Sequence, residues 1–546
     1  MSRLTGVGVS SGRASGPVAR VADPLPEPPA TPAPADPTVE AARIRPAAET
    51  VAEQLFERAA RVEGDAKAVL ETTAAMALDP ALLSQAEQLV ATRSLPAPRA
   101  VFEAANGFAD ALRAAGGYMA ERARDVQDIR DRIIAELHGV TPPGVPELKQ
   151  PSILLARDLA PADTADLDPA MVLALVTEEG GPTSHTAILA RSLGIPAVVA
   201  VRGVLALPDV VGLTVDGSSG EVETSAEPVA VRAAERVAAA EWNGVGATAD
   251  GHQVKVVANV GSAADARAAV AAGAEGVGLF RTEFCYLGAN DEPTVTTQRR
   301  AYQEVLAPFV GKSVVVRTLD AGADKPLAFL DMGVEPNPAL GVRGVRVAFD
   351  RPDVLDRQLE AIAGAAADSG AEVSVMAPMV ATADEAAWFA ERVRAAGLPR
   401  AGVMVEVPAA ALTAAEILDA VDFASIGTND LAQYVFAADR MAGALAELND
   451  PWQPALLRLI AEVGRAGRQL GKPVGVCGEA AADPLLAGVL VGLGVTSLSM
   501  VAAAVPAVGA ALAEHPIEAF RRAAEQALAA ATPAAARAAA DAALNR

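Results

Sequence analysis

The sequence predicts a multidomain α/β protein: an N-terminal α/β domain interrupted by a helical bundle, followed by a C-terminal (β/α)8 barrel, or TIM barrel. Three observations carry that prediction. The chain has 546 residues, too many for one ordinary core. Strand-like segments at 3–22, and again from 152 onward, flank residues 38–138, whose apolar positions recur at helical spacing. Beyond residue 250, strand and helix patterns alternate through eight strand candidates.

Taken in order, residues 3–22 alternate glycine with apolar residues and read as strands and turns. "PLPEPPATPAPADP", residues 24–37, is a stiff, extended connection. "PTVEAARIRPAAETVAEQLFERAARV", "DPALLSQAEQLVATR" and "DALRAAGGYMAERARDVQDIRDRIIAEL" place apolar residues three and four apart, the pattern of a helical bundle over 36–139. "SILLA", "MVLALV", "AVVAV" and "LTVDG" restore the strand pattern, so 1–22 and 140–225 form one α/β domain into which the bundle is inserted. Residues 226–250 read as a helical linker ending in the loop "NGVGATADG". The barrel, 251–546, draws its strands from "QVKVVAN", "GVGLF", "SVVVR", "EVSVMA", "GVMVE", "FASIG", "VGVC" and "SLSM".

Composition removes several classes of function. A formal charge of −23 opposes general affinity for nucleic acid or an anionic membrane and favours a partner with a basic face. Cys285 and Cys477 are too far apart for a metal-type spacing, which fits a reduced, cytoplasmic compartment. The opening "MSRLTGVGVSSGRASG" lacks the apolar core of a secretion signal. The apolar stretch 195–213 is broken by Arg202 and Asp209, so no membrane insertion is expected.

Barrel enzymes place their chemistry at the C-terminal ends of the strands. Here those ends read Asn259, Arg281, Arg317, Glu406, Asn429 with Asp430, and Cys477. Guanidinium groups are permanently charged forks suited to phosphate, and Arg281, Arg317, Arg343, Arg346 and Arg440 are candidates for that work. Taken singly, each would more often be a surface ion pair. Glu406 and Asp430 can converge on a hard divalent cation, for which Mg2+ is suited, or each can simply cap the following helix. Cys477 reads either as a small buried hydrophobe or as a proton donor to a carbanion-like carbon. Cys285 is expected to be structural.

"EEGGPTSHTAILARSLGIP" holds His185 at the first turn of a short helix that ends at Gly194 and Pro196, with Thr183 or Ser184 able to cap it. An anion on that ring would meet free helix N–H groups. No second histidine or cysteine lies near, which disfavours zinc and leaves a phosphoryl acceptor as the sharper reading over a structural role.

These residues resemble a known family: the chain is similar, over essentially its whole length, to Enzyme I of the phosphoenolpyruvate-dependent sugar phosphotransferase system. "GGPTSHTAILARSLGIPAVV" resembles the phosphohistidine signature, and "SIGTNDLAQYVFAADR" with "GVCGEAA" resembles the barrel signatures. The resemblance implies a swivelling phosphohistidine domain whose His185 takes the phosphoryl group of phosphoenolpyruvate. It implies that Arg281, Arg317, Arg343, Asn429, Asp430 and Arg440 hold substrate, that Glu406 and Asp430 bind Mg2+, and that Cys477 protonates the enolate to give pyruvate. The inserted helices would dock HPr, the small carrier protein, the linker would act as hinge, and the barrels would pair as a homodimer. Alanines at 321 and 323 depart from the family pattern and put the local loop geometry in question. Related enzymes that interconvert pyruvate and phosphoenolpyruvate need a nucleotide-binding domain for which the helical insert is too short. A phosphorelay protein without turnover would not need the intact His185, Glu406, Asp430 and Cys477.

Overall fold

The structure is a computed structural model. It describes residues 2–545 except 11, 23–24, 61–64, 116, 141, 143, 147, 160–166, 182–184, 207–210, 218, 233–241, 287–288, 290, 324–326, 328, 331–332, 334 and 441–442. The chain divides into two compact units, Met1–Glu235 and Arg236–Arg546.

The first unit is organised on an eight-stranded sheet of order β1-β8-β7-β3-β4-β5-β6-β2. Its strands are β1 (Ser2–Thr5), β2 (Val7–Ser10), β3 (Arg13–Arg20), β4 (Ser152–Ala156), β5 (Val172–Thr177), β6 (Ala197–Val199), β7 (Gly212–Asp216) and β8 (Glu221–Ser225). Strands β3 through β6 run parallel, and the remaining pairings are antiparallel. Strands β4 and β5 are buried end to end, as expected of parallel strands covered on both faces. Alternate residues divide between two cores: Ile153, Leu155 and Val176 on one face, Leu154, Ala156 and Leu175 on the other.

Between β3 and β4 the chain forms helices. Asp36 and Asp79 accept hydrogen bonds from the first free N–H groups of helices Pro37–Ala41 and Pro80–Arg93, each with proline in its first turn. Helices Ile44–Ala59, Ala97–Ala115 and Gly117–His138 bury Ile44, Val51, Leu55, Val101, Ile129 and Ile133 in a core of their own. The proline-rich segment lies against this bundle: Leu25 packs on its core, and Arg99 bonds Glu27 and the Pro28 carbonyl.

The expectation of a helical linker is corrected where the chain is described. Residues 226–232 are not helical: 226–227 form a bend, and Arg232 exchanges backbone hydrogen bonds with Ser15 at 2.8 and 2.9 Å. Pro228 explains this, since it lacks the N–H a helix interior needs. Residues 233–241 lie outside the described residues.

The second unit is a closed, all-parallel barrel of β9 (Lys255–Val260), β10 (Gly276–Arg281), β11 (Ser313–Arg317), β12 (Glu372–Ala377), β13 (Ala401–Val405), β14 (Phe423–Gly427), β15 (Val474–Cys477) and β16 (Ser497–Met500). Closure is made by β16 on β9, in register from Ser497↔Lys255 to Met500↔Ala258. Val375, Ala377, Val403 and Val405 pack with the surrounding helices. The intervening residues Met376 and Met404 instead join Leu279, Phe423 and Cys477 in a separate inner cluster. Period-two alternation thus divides the helix-facing layer from the barrel interior.

Candidate active site

Five strands deliver chemistry-bearing residues to one rim. Arg281 ends β10, Arg317 ends β11, and Cys477 ends β15. Glu406 follows β13 directly, and Asn429 and Asp430 open the helix Thr428–Phe436 that leaves β14. Because the strands are parallel, all five ends lie on the C-terminal face of the barrel.

The rim is organised by a carboxylate that sequence reading passed over. Asp320 is fully buried and holds Arg343 through two parallel bonds, Nε to Oδ1 and Nη2 to Oδ2, both 3.0 Å. The Nη1 of Arg343 then reaches Asp430 Oδ1 and the Tyr434 hydroxyl, each at 3.3 Å. Arg317 Nη2 donates to Glu283 Oε1 at 3.0 Å, and its Nη1 lies 3.4 Å from Asp320. Burial alone would lower the pKa of Arg317, but Glu283, Asp320, Glu406 and Asp430 outweigh it and hold the guanidinium above its ordinary value. Arg440 stands farther out, 3.9 Å from Asp430 Oδ2. Glu283, Asp320 and Tyr434 were missed by sequence reading. The available signal was a carboxylate two residues past Arg281 and another three past Arg317.

Two polar atoms are left over in this array. Among the described residues, Glu406 Oε2 and Arg317 Nε are buried with no hydrogen-bond partner. Glu406 Oε1 accepts the Met379 N–H at 2.7 Å, which orients the carboxylate and leaves Oε2 against Gly427, where a Cβ would come within 2.8 Å. Burial, then the like charges of Asp430 and Asp320, push the Glu406 carboxyl up to about 7 against the pull of Arg317 and Arg343. A carboxylate so placed is suited to a cation. Among the described residues no group of three or more His, Cys, Asp or Glu side chains is arranged for a metal. Two carboxylates are what Mg2+ typically uses alongside water and phosphate oxygens.

Cys477 is buried, its Sγ 3.5 Å from the Ile426 carbonyl. Burial pushes its thiol up to about 11, so it is a protonated acid at neutral pH and not a thiolate. Asn429 lies beside it: a Cβ on Gly478 would come within 3.3 Å of the Asn429 Oδ1. Arg281 has exposed surface although protein surrounds its head densely, as at the mouth of a concavity, and this desolvation and then the charge of Arg317 lower its pKa. Its guanidinium lies 5.3 Å from the Phe284 ring centre.

Other candidates have surroundings of their own. Arg346 turns to the Gly341 carbonyl, 3.2 Å away, and to Glu385. The Asn259 Oδ1 accepts the Ser499 hydroxyl at 2.6 Å. Cys285 is partly buried, and burial pushes its thiol up to about 12. Ala321, one of the two departures from the family pattern, is buried, and its carbonyl accepts the Gly344 N–H at 2.9 Å.

His185 belongs to the first unit, where it opens the helix His185–Leu193. Its side chain, and the caps expected of Thr183 and Ser184, lie outside the described residues. The helix is anchored to the sheet by Ala187 and Ala190, packed with Leu154, Leu175 and Val199. Thr186, also buried, reaches Asp158 at 3.5 Å. The helix ends at Gly194, whose φ of +65° stops it.

A closed parallel barrel with guanidinium groups, two carboxylates and a protonated thiol on its C-terminal rim defines the class: an enzyme fold arranged for a phosphorylated anion. Comparison with known proteins makes this particular. Family models match in chain order: the N-terminal domain of PEP-utilising enzymes at 5–122, their mobile domain at 148–220 and their PEP-binding domain at 237–516. The chain belongs to the PEP-utilising enzymes. It is 54% identical, over 99% of both chains, to a phosphoenolpyruvate-protein phosphotransferase of Streptomyces coelicolor. Proteins of the same name from Haloferax volcanii and Bacillus subtilis are 42% and 38% identical, covering 90% and 83% of this chain and 89% and 84% of theirs. Membership in this family is consistent with a metal cofactor. Among the described residues no helix is long and apolar enough to cross a membrane.

Proposed function

We propose that the protein is a phosphoenolpyruvate-protein phosphotransferase: it moves the phosphoryl group of phosphoenolpyruvate to His185, releases pyruvate, and passes the phosphoryl group to the carrier HPr. The observation that carries this reading is the rim, where Arg281, Arg317, Arg343 and Arg440 stand among the carboxylates of Glu283, Asp320, Glu406 and Asp430 and an un-ionised thiol. The arginines hold the phosphate and carboxylate of the substrate, and Asn429 and Asp430 position it. Glu406 and Asp430 hold Mg2+, which when bound neutralises charge on the phosphoryl oxygens. The ring nitrogen of His185 remote from the backbone attacks phosphorus, and the bond from phosphorus to the enol oxygen breaks. Cys477 gives its proton to the terminal carbon of the resulting enolate, forming pyruvate, and the thiolate then regains a proton from water.

In this reading His185 meets the barrel rim in one half-reaction and HPr in the other, and the segment 226–250 allows the exchange. The helices of 36–139 form the docking domain for HPr, the sheet of 1–22 and 140–225 is the phosphohistidine domain, and 251–546 is the phosphoenolpyruvate domain. A homodimer through the barrels and a cytoplasmic location complete the proposal. Two unpaired cysteines fit a reducing compartment.

Incubation with labelled phosphoenolpyruvate and Mg2+, with and without HPr, tests the proposal. Label on the protein that transfers to HPr is expected. Label persisting in His185→Ala, or label that cannot pass to HPr, refutes the central assignment.

A further inference from the structure

Behind the rim lies a chain of buried polar side chains that the reaction itself does not touch. Gln358, on the helix Pro352–Ser369, is its node. The Gln358 Nε2 donates to Thr282 Oγ1 at 3.0 Å and to the Tyr302 hydroxyl at 3.2 Å, while its Oε1 accepts the Leu319 N–H at 3.0 Å. The single hydroxyl proton of Thr282 is given to the Arg317 carbonyl at 2.8 Å. Tyr286 and Tyr302 both reach Gln298 Oε1, at 2.8 and 3.3 Å, and Gln298 Nε2 donates to the Pro293 carbonyl at 2.8 Å. Thr282, Tyr286, Gln298, Tyr302 and Gln358 are each at most 1% exposed.

The direction of these bonds matters. Thr282 adjoins Arg281, and Leu319 lies two residues beyond Arg317, so Gln358 grips the ends of both strands that present these arginines. Only an amide serves at 358: it must donate twice and accept once. A carboxylate there would draw the Thr282 proton to itself and leave the Arg317 carbonyl without its donor. An apolar side chain of similar size would leave the Leu319 N–H without its acceptor and take one donor from each of the Thr282 and Tyr302 hydroxyls.

We infer that Gln358 is a positioning residue for phosphoenolpyruvate: by fixing the direction of hydrogen bonding through Thr282 and Leu319, it sets the spacing of Arg281 and Arg317 on the rim. This rests on the function proposed above. Misalignment of two anion clamps costs roughly 10- to 100-fold in use of the anion.

The test separates the two half-reactions of the full-length protein. Gln358→Glu and Gln358→Leu should raise KM for phosphoenolpyruvate, or lower kcat/KM, by roughly 10- to 100-fold. Loading of His185 in reverse from phosphorylated HPr, which needs no barrel rim, should proceed at the parent rate. Thr282→Val should reproduce the defect and Thr282→Ser should restore most of it, because only the hydroxyl is at issue; this pair decides the matter if the Gln358 variants fold poorly. Folded variants with parental kcat/KM, or an equal loss in both half-reactions, would overturn the inference. If the parent protein itself takes no phosphoryl group from phosphoenolpyruvate but loads from phosphorylated HPr, the functional proposal fails first.

Discussion

The barrel rim and the His185 helix solve opposite problems. The rim gathers residues from five strand ends, and buried ion pairs tie Arg317 and Asp430 to one another through Asp320 and Arg343. His185 instead opens a nine-residue helix, which among the described residues packs on the sheet through Ala187 and Ala190 and reaches Asp158 through Thr186. A site that must bind and orient a small anion gains from a rigid, many-stranded origin. A group that must serve two partners gains from a short element with few commitments.

Removing the chemistry of either region should leave the other intact. His185→Ala should reduce labelling by phosphoenolpyruvate to background while leaving its binding to the barrel unchanged in titration calorimetry with Mg2+; lost binding would mean that the two regions are not separable. Cys477→Ala should follow, lowering kcat by roughly 10²- to 10⁴-fold with little change in KM. The same thiol, pushed up to about 11, should be alkylated slowly at pH 7 to 8 and faster as pH climbs toward 11. A reaction rate already saturated at pH 8 would remove Cys477 as the acid.

Stability should separate the regions further. Arg343→Leu leaves the buried Asp320 without its two-bond partner and should destabilise the barrel by about 3–5 kcal/mol in denaturant unfolding. Any substitution at His185 should cost far less. The smallest effect is expected at Glu406. Its carboxyl, raised from 4.5 to about 7, binds a proton more tightly in the folded, metal-free protein than in the unfolded chain. That favourable contribution is complete below about pH 4.5 and is lost as pH rises through 7. Glu406→Gln should therefore become more stable than its parent by about 1–3 kcal/mol over that window, although it loses activity. Parallel pH–stability curves for the two would show that the carboxylate is not under strain.

Strand positions were legible because barrel strands are short apolar runs bounded by glycine and charge, and "SVVVR" and "VGVC" became β11 and β15 without change. The site residues on strand ends followed, since position on a barrel strand fixes which rim a residue joins. Asp320 and Gln358 did not follow. Asp320 stands three residues past Arg317 in "VRTLD", but nothing local reveals that it turns to a guanidinium 23 positions later in the chain. Gln358 looks like any polar residue on an amphipathic helix, and only tertiary packing shows that it faces inward. Residues 226–232 misled in the other direction: Ala, Glu and Arg suggest helix, whereas Pro228 and the pairing of Arg232 with Ser15 oppose it.

Strands β1 and β2 occupy opposite margins of the eight-stranded sheet, yet only Gly6 separates them along the chain. The Gly6 N–H donates to the Gly220 carbonyl at 2.9 Å, and a Cβ there would come within 2.5 Å of the Val199 carbonyl. The first ten residues therefore work as a clasp that brings the two borders of the sheet together. A fusion partner that tugs on this clasp unfastens both borders at once and offers two bare seams to neighbouring chains.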